Sequence, residues 1–267
     1  MLNQETIRSM KLFLFDMDGT LYLGDRLFGF TTALLRRIRE TGGRYLFMTN
    51  NSSKSVEDYI RKLGKLGIAA DREDFITSAQ ATAWYLLQHH PDKPLYVCGT
   101  ASFKEELRLA GLTVTEDADQ AECIVMGFDT ELTFQKLEDV SRMLCTRDLP
   151  YIATNPDYVC PTEFGSVPDC GSVSDMLYNV SKKRPLFIGK PSPLMPQLAM
   201  KKWGVTPEET VVIGDRIYTD IKSGLNAGTL TILVMSGETT TEILESSEDK
   251  PHIVMQDAGE LIPLLKA

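Results

Sequence analysis

A chain of 267 residues, with 43% hydrophobic and 24% charged residues, is long enough for two ordinary domains and too apolar to remain disordered. Its formal charge of −9 comes from acids spread along the chain, with no basic stripe to neutralise a phosphate backbone, so nucleic acid is excluded as an expected partner. Cys98, Cys123, Cys145, Cys160 and Cys170 form no C-x-x-C pair, and the first apolar run is too short for a signal or membrane segment; reduced thiols, a cytoplasmic location and no membrane contact are expected.

The first run, Leu12 to Phe15, has strand length and ends at Asp16. Similar runs follow at Tyr45 to Met48, Val211 to Ile213 and Leu230 to Met235, each short enough for a buried parallel strand. Between them, apolar residues spaced three and four apart (Leu34, Leu35, Ile38; Tyr59, Ile60, Leu63) predict amphipathic helices. This alternation predicts an α/β fold, a parallel sheet with helices on both faces. A second block, roughly Ser78 to Lys183, has its own runs at Leu95 to Cys98, Cys123 to Met126 and Tyr151 to Ala153. Polar motifs cluster outside it, which predicts a core domain (residues 1–79 and 182–267) interrupted by an inserted domain (residues 80–181).

Asp16-Met17-Asp18-Gly19-Thr20 places two carboxylates at the carboxyl end of a buried strand, where open α/β sheets bind ligands. An acid side chain and a backbone carbonyl there suit magnesium, although Asp18-Gly19 also reads as a simple turn. The second run ends in Thr49-Asn50-Asn51-Ser52-Ser53, a hydroxyl and amide cluster suited to phosphate oxygens, and Ser55 with Asp58 has capping-box spacing. Lys190, in Gly189-Lys190-Pro191-Ser192-Pro193, offers the compact positive charge that a phosphoryl group requires in an acidic protein. Asp215 and Asp220 again follow a buried strand; one can bind the ion while the other orients it or offsets a helix dipole. Together these residues support phosphoryl transfer: Asp16 as nucleophile, Asp18 as acid and base, and magnesium held by Asp16, the Asp18 carbonyl and Asp215.

These pieces, in this order, resemble the four motifs of the haloacid dehalogenase superfamily: D-x-D-G-T at Asp16 to Thr20, then Thr49, Lys190, and Gly214-Asp215 with Thr219-Asp220. The wording around Thr49, Lys190 and Asp215 is similar to the NagD-like branch, which includes p-nitrophenyl phosphatases. The resemblance implies a Rossmann-like core with an inserted α/β cap of the large C2 type, and a magnesium-dependent hydrolase acting through an aspartyl phosphate. It assigns Thr49, Asn50, Asn51 and Lys190 to phosphate, Asp16, Asp18 and Asp215 to the metal, and Asp220 to the shell behind it. In the cap, Asn155 and Asp157 resemble the segment leading to a specificity loop that runs through Tyr158, Cys160 and Pro161. The implied partners are small phosphorylated metabolites, such as sugar phosphates, nucleoside monophosphates and p-nitrophenyl phosphate, handled by a monomer or a cap-mediated homodimer. A phosphotransferase or mutase using the same intermediate, and a non-catalytic binding module, are the competing readings.

Overall fold

The computed structural model describes residues 4–162 and 164–265. They group into two compact units, one comprising the chain up to Thr49, Tyr59–Ile76 and the chain from Lys190 on, the other Asn50–Asp58 and Thr77–Gly189.

The first unit is built on a six-stranded sheet in the order Ile253–Met255, Leu230–Val234, Thr210–Gly214, Leu12–Phe15, Arg44–Thr49, Phe75–Thr77. Leu12–Phe15 runs parallel to both of its neighbours, with Phe15 opposite Ile213 on one side and Phe47 on the other. All four residues of this strand are fully buried, as an apolar run without alternation requires when both faces of a sheet are covered. Burying a side chain such as Phe13 or Phe15 contributes about 1.5–3 kcal/mol relative to leaving it exposed. Helix Thr31–Glu40 turns Leu34, Leu35 and Ile38 inward, the stripe expected from their spacing. In strand order, the chain proceeds outward in one direction from Leu12–Phe15 and in the other from Thr210–Gly214. The switch point therefore lies between these strands, and Asp16 and Asp215 follow their carboxyl ends.

The second unit has a five-stranded parallel sheet in the order Leu186–Phe187, Tyr151–Ala153, Cys123–Met126, Leu95–Cys98, Val114–Thr115. Its core gathers Ile124, Met126, Val140, Met143, Leu144 and Leu177. Side-chain caps start its helices: Thr100 Oγ1 accepts from Phe103 N at 3.2 Å, and Thr133 Oγ1 from Lys136 N at 3.3 Å. Residues 182–189, expected in the core domain, group instead with this unit, because Leu186–Phe187 is hydrogen-bonded beside Tyr151–Ala153. Residues 50–58 do so too: Ser52 Oγ bonds Thr154 Oγ1 at 2.9 Å and accepts from Phe128 N at 2.9 Å. An antiparallel pair, Val159–Thr162 with Gly165–Pro168, stands apart from the sheet. Among the described residues, no helix is long and apolar enough to cross a membrane.

Candidate active site

Lys190 organises the charges of the first unit. Its side chain is only 3% exposed, and Nζ lies 2.6 Å from Asp16 Oδ1, 2.6 Å from Asp220 Oδ1 and 3.3 Å from the Met48 carbonyl. These three acceptors match the three hydrogens of an ammonium group. Burial alone lowers the basicity of Lys190, but Asp16 and Asp220 outweigh it and hold the amine firmly protonated. Asp220 is fully buried, and its second oxygen accepts from Arg216 N at 3.1 Å. Its carboxylate thus both grips the lysine and closes the turn that opens the Ile217–Ile221 segment.

Asp215 is enclosed by a loop that no local sequence pattern announces. Glu238 N donates to Asp215 Oδ2 at 2.7 Å, and Thr239 N and Oγ1 donate to the Asp215 carbonyl at 3.2 and 2.5 Å. Ser236 Oγ ties the same loop to the Gly19 carbonyl at 2.7 Å. A Cβ on Gly237 would fall 2.0 Å from Asp215 Oδ2, so only glycine lets this loop approach. Gly19, at φ +84°, approaches from the other side; a Cβ there would lie 2.6 Å from the same oxygen. The Asp18-Gly19 turn therefore does occur, and it packs against the second acidic motif. Asp18 itself is exposed, with Oδ1 accepting from Gly24 N at 3.3 Å.

Ligand atoms of Asp16, Asp215 and Asp220 all lie within 4.8 Å of one another. Asp215 Oδ1 is buried and has no hydrogen-bond partner among the described residues. Burial, then the neighbouring Asp16 and Asp220 carboxylates, push Asp215 up to about 8. Burial likewise raises Asp16 to about 6; Lys190 opposes the shift and Asp220 adds to it. A largely buried group of three acids beside Lys190, made of hard oxygen donors with one oxygen unpartnered, fits a divalent cation. Arg216 adds a second fixed charge: burial disfavours it, but Asp16, Glu238, Tyr218 and Asp215 together strengthen its hold on the proton.

Thr49 ends its strand nine-tenths buried in the first unit. Asn50 and Asn51, by contrast, belong to the second unit. Asn50 Nδ2 donates to Asp157 Oδ2 at 3.0 Å, and the Asn50 carbonyl accepts from Ser78 Oγ at 2.6 Å. Asn51 Oδ1 accepts from Ser53 N and Oγ at 2.9 and 2.7 Å, a local turn. Ser55 and Asp58 form the expected capping box, with Ser55 N to Asp58 Oδ2 at 2.9 Å and Asp58 N to Ser55 Oγ at 3.2 Å. Asn155 is fully buried and bridges Asp157 Oδ2 and Asp169 Oδ1 at 3.3 and 3.2 Å. These contacts place Asn155 and Asp157 in an internal network at the base of the Val159–Pro168 pair, whereas Cys160 lies partly exposed on that pair opposite Val167. Sequence reasoning missed Arg216, Ser236, Gly237 and Glu238. Only the position of Arg216 inside the fourth motif offered a signal.

Comparison with known proteins bears on this geometry. Residues 13–113 match a family described as haloacid dehalogenase-like hydrolase, and residues 187–261 a related family described as haloacid dehalogenase hydrolase-like. The chain is 33% identical over 259 residues to the 5'-nucleotidase YutF of Bacillus subtilis, covering 97% of this chain and 100% of that protein. The crystal structure of 4-nitrophenylphosphatase from Thermotoga maritima superposes with a TM-score of 0.93 at 37% identity, over 98% of this chain and 99% of that one. NagD from Escherichia coli K-12 superposes with a TM-score of 0.86 at 29% identity, over 94% and 98% of the two chains. The resemblance carried by the four motifs thus extends over the whole chain, which belongs to the haloacid dehalogenase-like hydrolases as a phosphatase of the NagD-like kind.

Proposed function

We propose that this chain is a magnesium-dependent phosphatase of small phosphorylated metabolites, acting through a phosphoryl group carried on Asp16. The observation that carries the reading is the Asp16–Lys190–Asp220 arrangement beside a buried Asp215 oxygen without a partner. Asp16, Asp215 and the backbone of Asp18 would hold the ion, whose positive charge would offset that of the carboxylates and phosphoryl oxygens.

The chain's own residues account for the remaining steps. Lys190 fixes Asp16 through Oδ1, so the carboxylate meets the phosphorus in one orientation. Asp16 attacks, the phosphorus–oxygen bond to the leaving group breaks, and Asp18 gives that oxygen its proton. Asp18, now ionised, takes a proton from a water that attacks the aspartyl phosphate, which releases inorganic phosphate and restores Asp16. Asp220 acts through Lys190 by holding Nζ at 2.6 Å, and Thr49 lies at the end of an adjacent strand to meet a phosphate oxygen. Asn50 and Asn51 complete the phosphate contacts in this reading. The second unit, with Asn155, Asp157 and Cys160 at or near its paired strands, serves as the cap that selects the leaving group.

The 5'-nucleotidase and nitrophenylphosphatase names of the relatives support nucleoside monophosphates and p-nitrophenyl phosphate as candidate substrates. The test is release of inorganic phosphate from these esters, sugar phosphates, phosphoglycolate and pyridoxal phosphate, with magnesium and with excess chelator. Chelator-sensitive release is expected; a folded protein inactive across the panel would overturn the reading.

A further inference from the structure

We propose that Glu238 is a positioning residue that keeps the Arg216 guanidinium out of the Asp16–Asp215 carboxylate cluster, leaving that cluster open to a divalent cation. The inference rests on reading the cluster as the cation site. Arg216 follows Asp215 directly in the chain, and both Asp215 and Asp16 attract its charge. A guanidinium cannot be neutralised by losing its proton, and its planar fork suits a pair of carboxylate oxygens, so it is a built-in rival for the place of a metal ion.

The structure turns it elsewhere. Arg216 Nε pairs with Glu238 Oε2 at 2.8 Å. Tyr218 OH donates to the other oxygen, Oε1, at 2.5 Å, so the Glu238 carboxylate is held on both sides. The backbone N–H of the same Glu238 donates to Asp215 Oδ2 at 2.7 Å. One residue thus fixes both a carboxylate of the cluster and the cation that competes for it. The Arg216 and Glu238 side chains are 23% and 40% exposed, so solvent reaches the Glu238 end and partly screens the pair, which leaves it weak enough for such a competition to be finely poised.

If the released guanidinium occupies the cluster most of the time, the apparent dissociation constant for the ion rises by the inverse of the open fraction. The experiment is calorimetric titration of Mg2+ into the full-length protein, with thermal unfolding as a check of fold. Glu238→Gln is expected to weaken Mg2+ binding by about fivefold, and Glu238→Asp by about as much, because aspartate keeps the charge but is one methylene too short. Adding Arg216→Met to Glu238→Asp is expected to restore binding to near the wild-type value. Tyr218→Phe, which leaves every charge in place, is expected to weaken binding about twofold and serves if the Glu238 variants do not fold. Wild-type affinity in Glu238→Asp, or no recovery in the double variant, overturns the proposal. If the wild-type protein binds no Mg2+, the cation reading falls and this inference with it; binding by the wild type that Glu238→Asp and Tyr218→Phe leave unaltered overturns this inference alone.

Discussion

Each of the two units gathers a cluster of acids beside a parallel sheet, joined by a lysine in the first and by amides in the second, and the clusters differ in how completely they satisfy themselves. In the second unit Asp157 accepts from Asn50 and Asn155, Asp169 accepts from Asn155 and the Cys170 backbone, and Thr154 donates to Asn155 at 2.7 Å. In the first unit Asp16 and Asp220 share Lys190, Asp215 has one backbone donor in Glu238, burial and mutual repulsion raise Asp16 and Asp215, and Asp215 Oδ1 has no partner among the described residues. A saturated network holds a fold together. An unsaturated one holds free energy that a cation and a phosphoryl group can release.

This contrast is broken most severely at the nucleophile. Asp16→Asn keeps the shape of the side chain but removes the attacking carboxylate, and phosphate release should fall to background in a steady-state assay. Chelation should come next: removing divalent ions abolishes turnover and lowers the melting temperature, since an ion that binds only the native state stabilises it by mass action. Lys190→Ala should lower kcat by about a hundred- to a thousandfold, corresponding to about 2.7–4 kcal/mol of lost transition-state stabilisation. In the second unit, Asn155→Ala leaves buried acceptors without their donor and should cost about 1–3 kcal/mol of stability, read from urea unfolding.

The smallest effect concerns thiols. Burial pushes Cys123 and Cys170 up to about 12 and raises Cys98 as well, so all three stay protonated as pH rises through 8. Iodoacetamide at pH 8 should therefore label exposed Cys145 and spare these three until the protein is unfolded, as peptide mass mapping would show.

The sheet was legible because its strands are buried on both faces and so appear as unbroken apolar runs; Leu12–Phe15 and Thr210–Gly214 need no partner to be recognised. The charged residues were legible because an acid directly after such a run is costly unless it serves a purpose. What escaped was set by contacts distant in sequence. The Glu238–Asp215 bond spans 23 residues and the Asn50–Asp157 bond 107, and neither leaves a periodic trace. Residues 182–189 were expected in the core domain, and only the pairing of Leu186–Phe187 with Tyr151–Ala153, a contact distant in sequence, assigns them to the second unit. The fate of Asn155 turned on complete burial, which a single asparagine in sequence does not reveal.

The central claim is that the phosphoryl group passes through Asp16. The direct measurement is a rapid acid quench of the magnesium-loaded protein turning over a phosphate ester labelled on phosphorus, followed by peptide mapping of the protein-bound label. The account predicts a hydroxylamine-labile acyl phosphate on the peptide containing Asp16 in the wild-type protein, and none in Asp16→Asn. A label on another residue, or one that persists in Asp16→Asn, would contradict it.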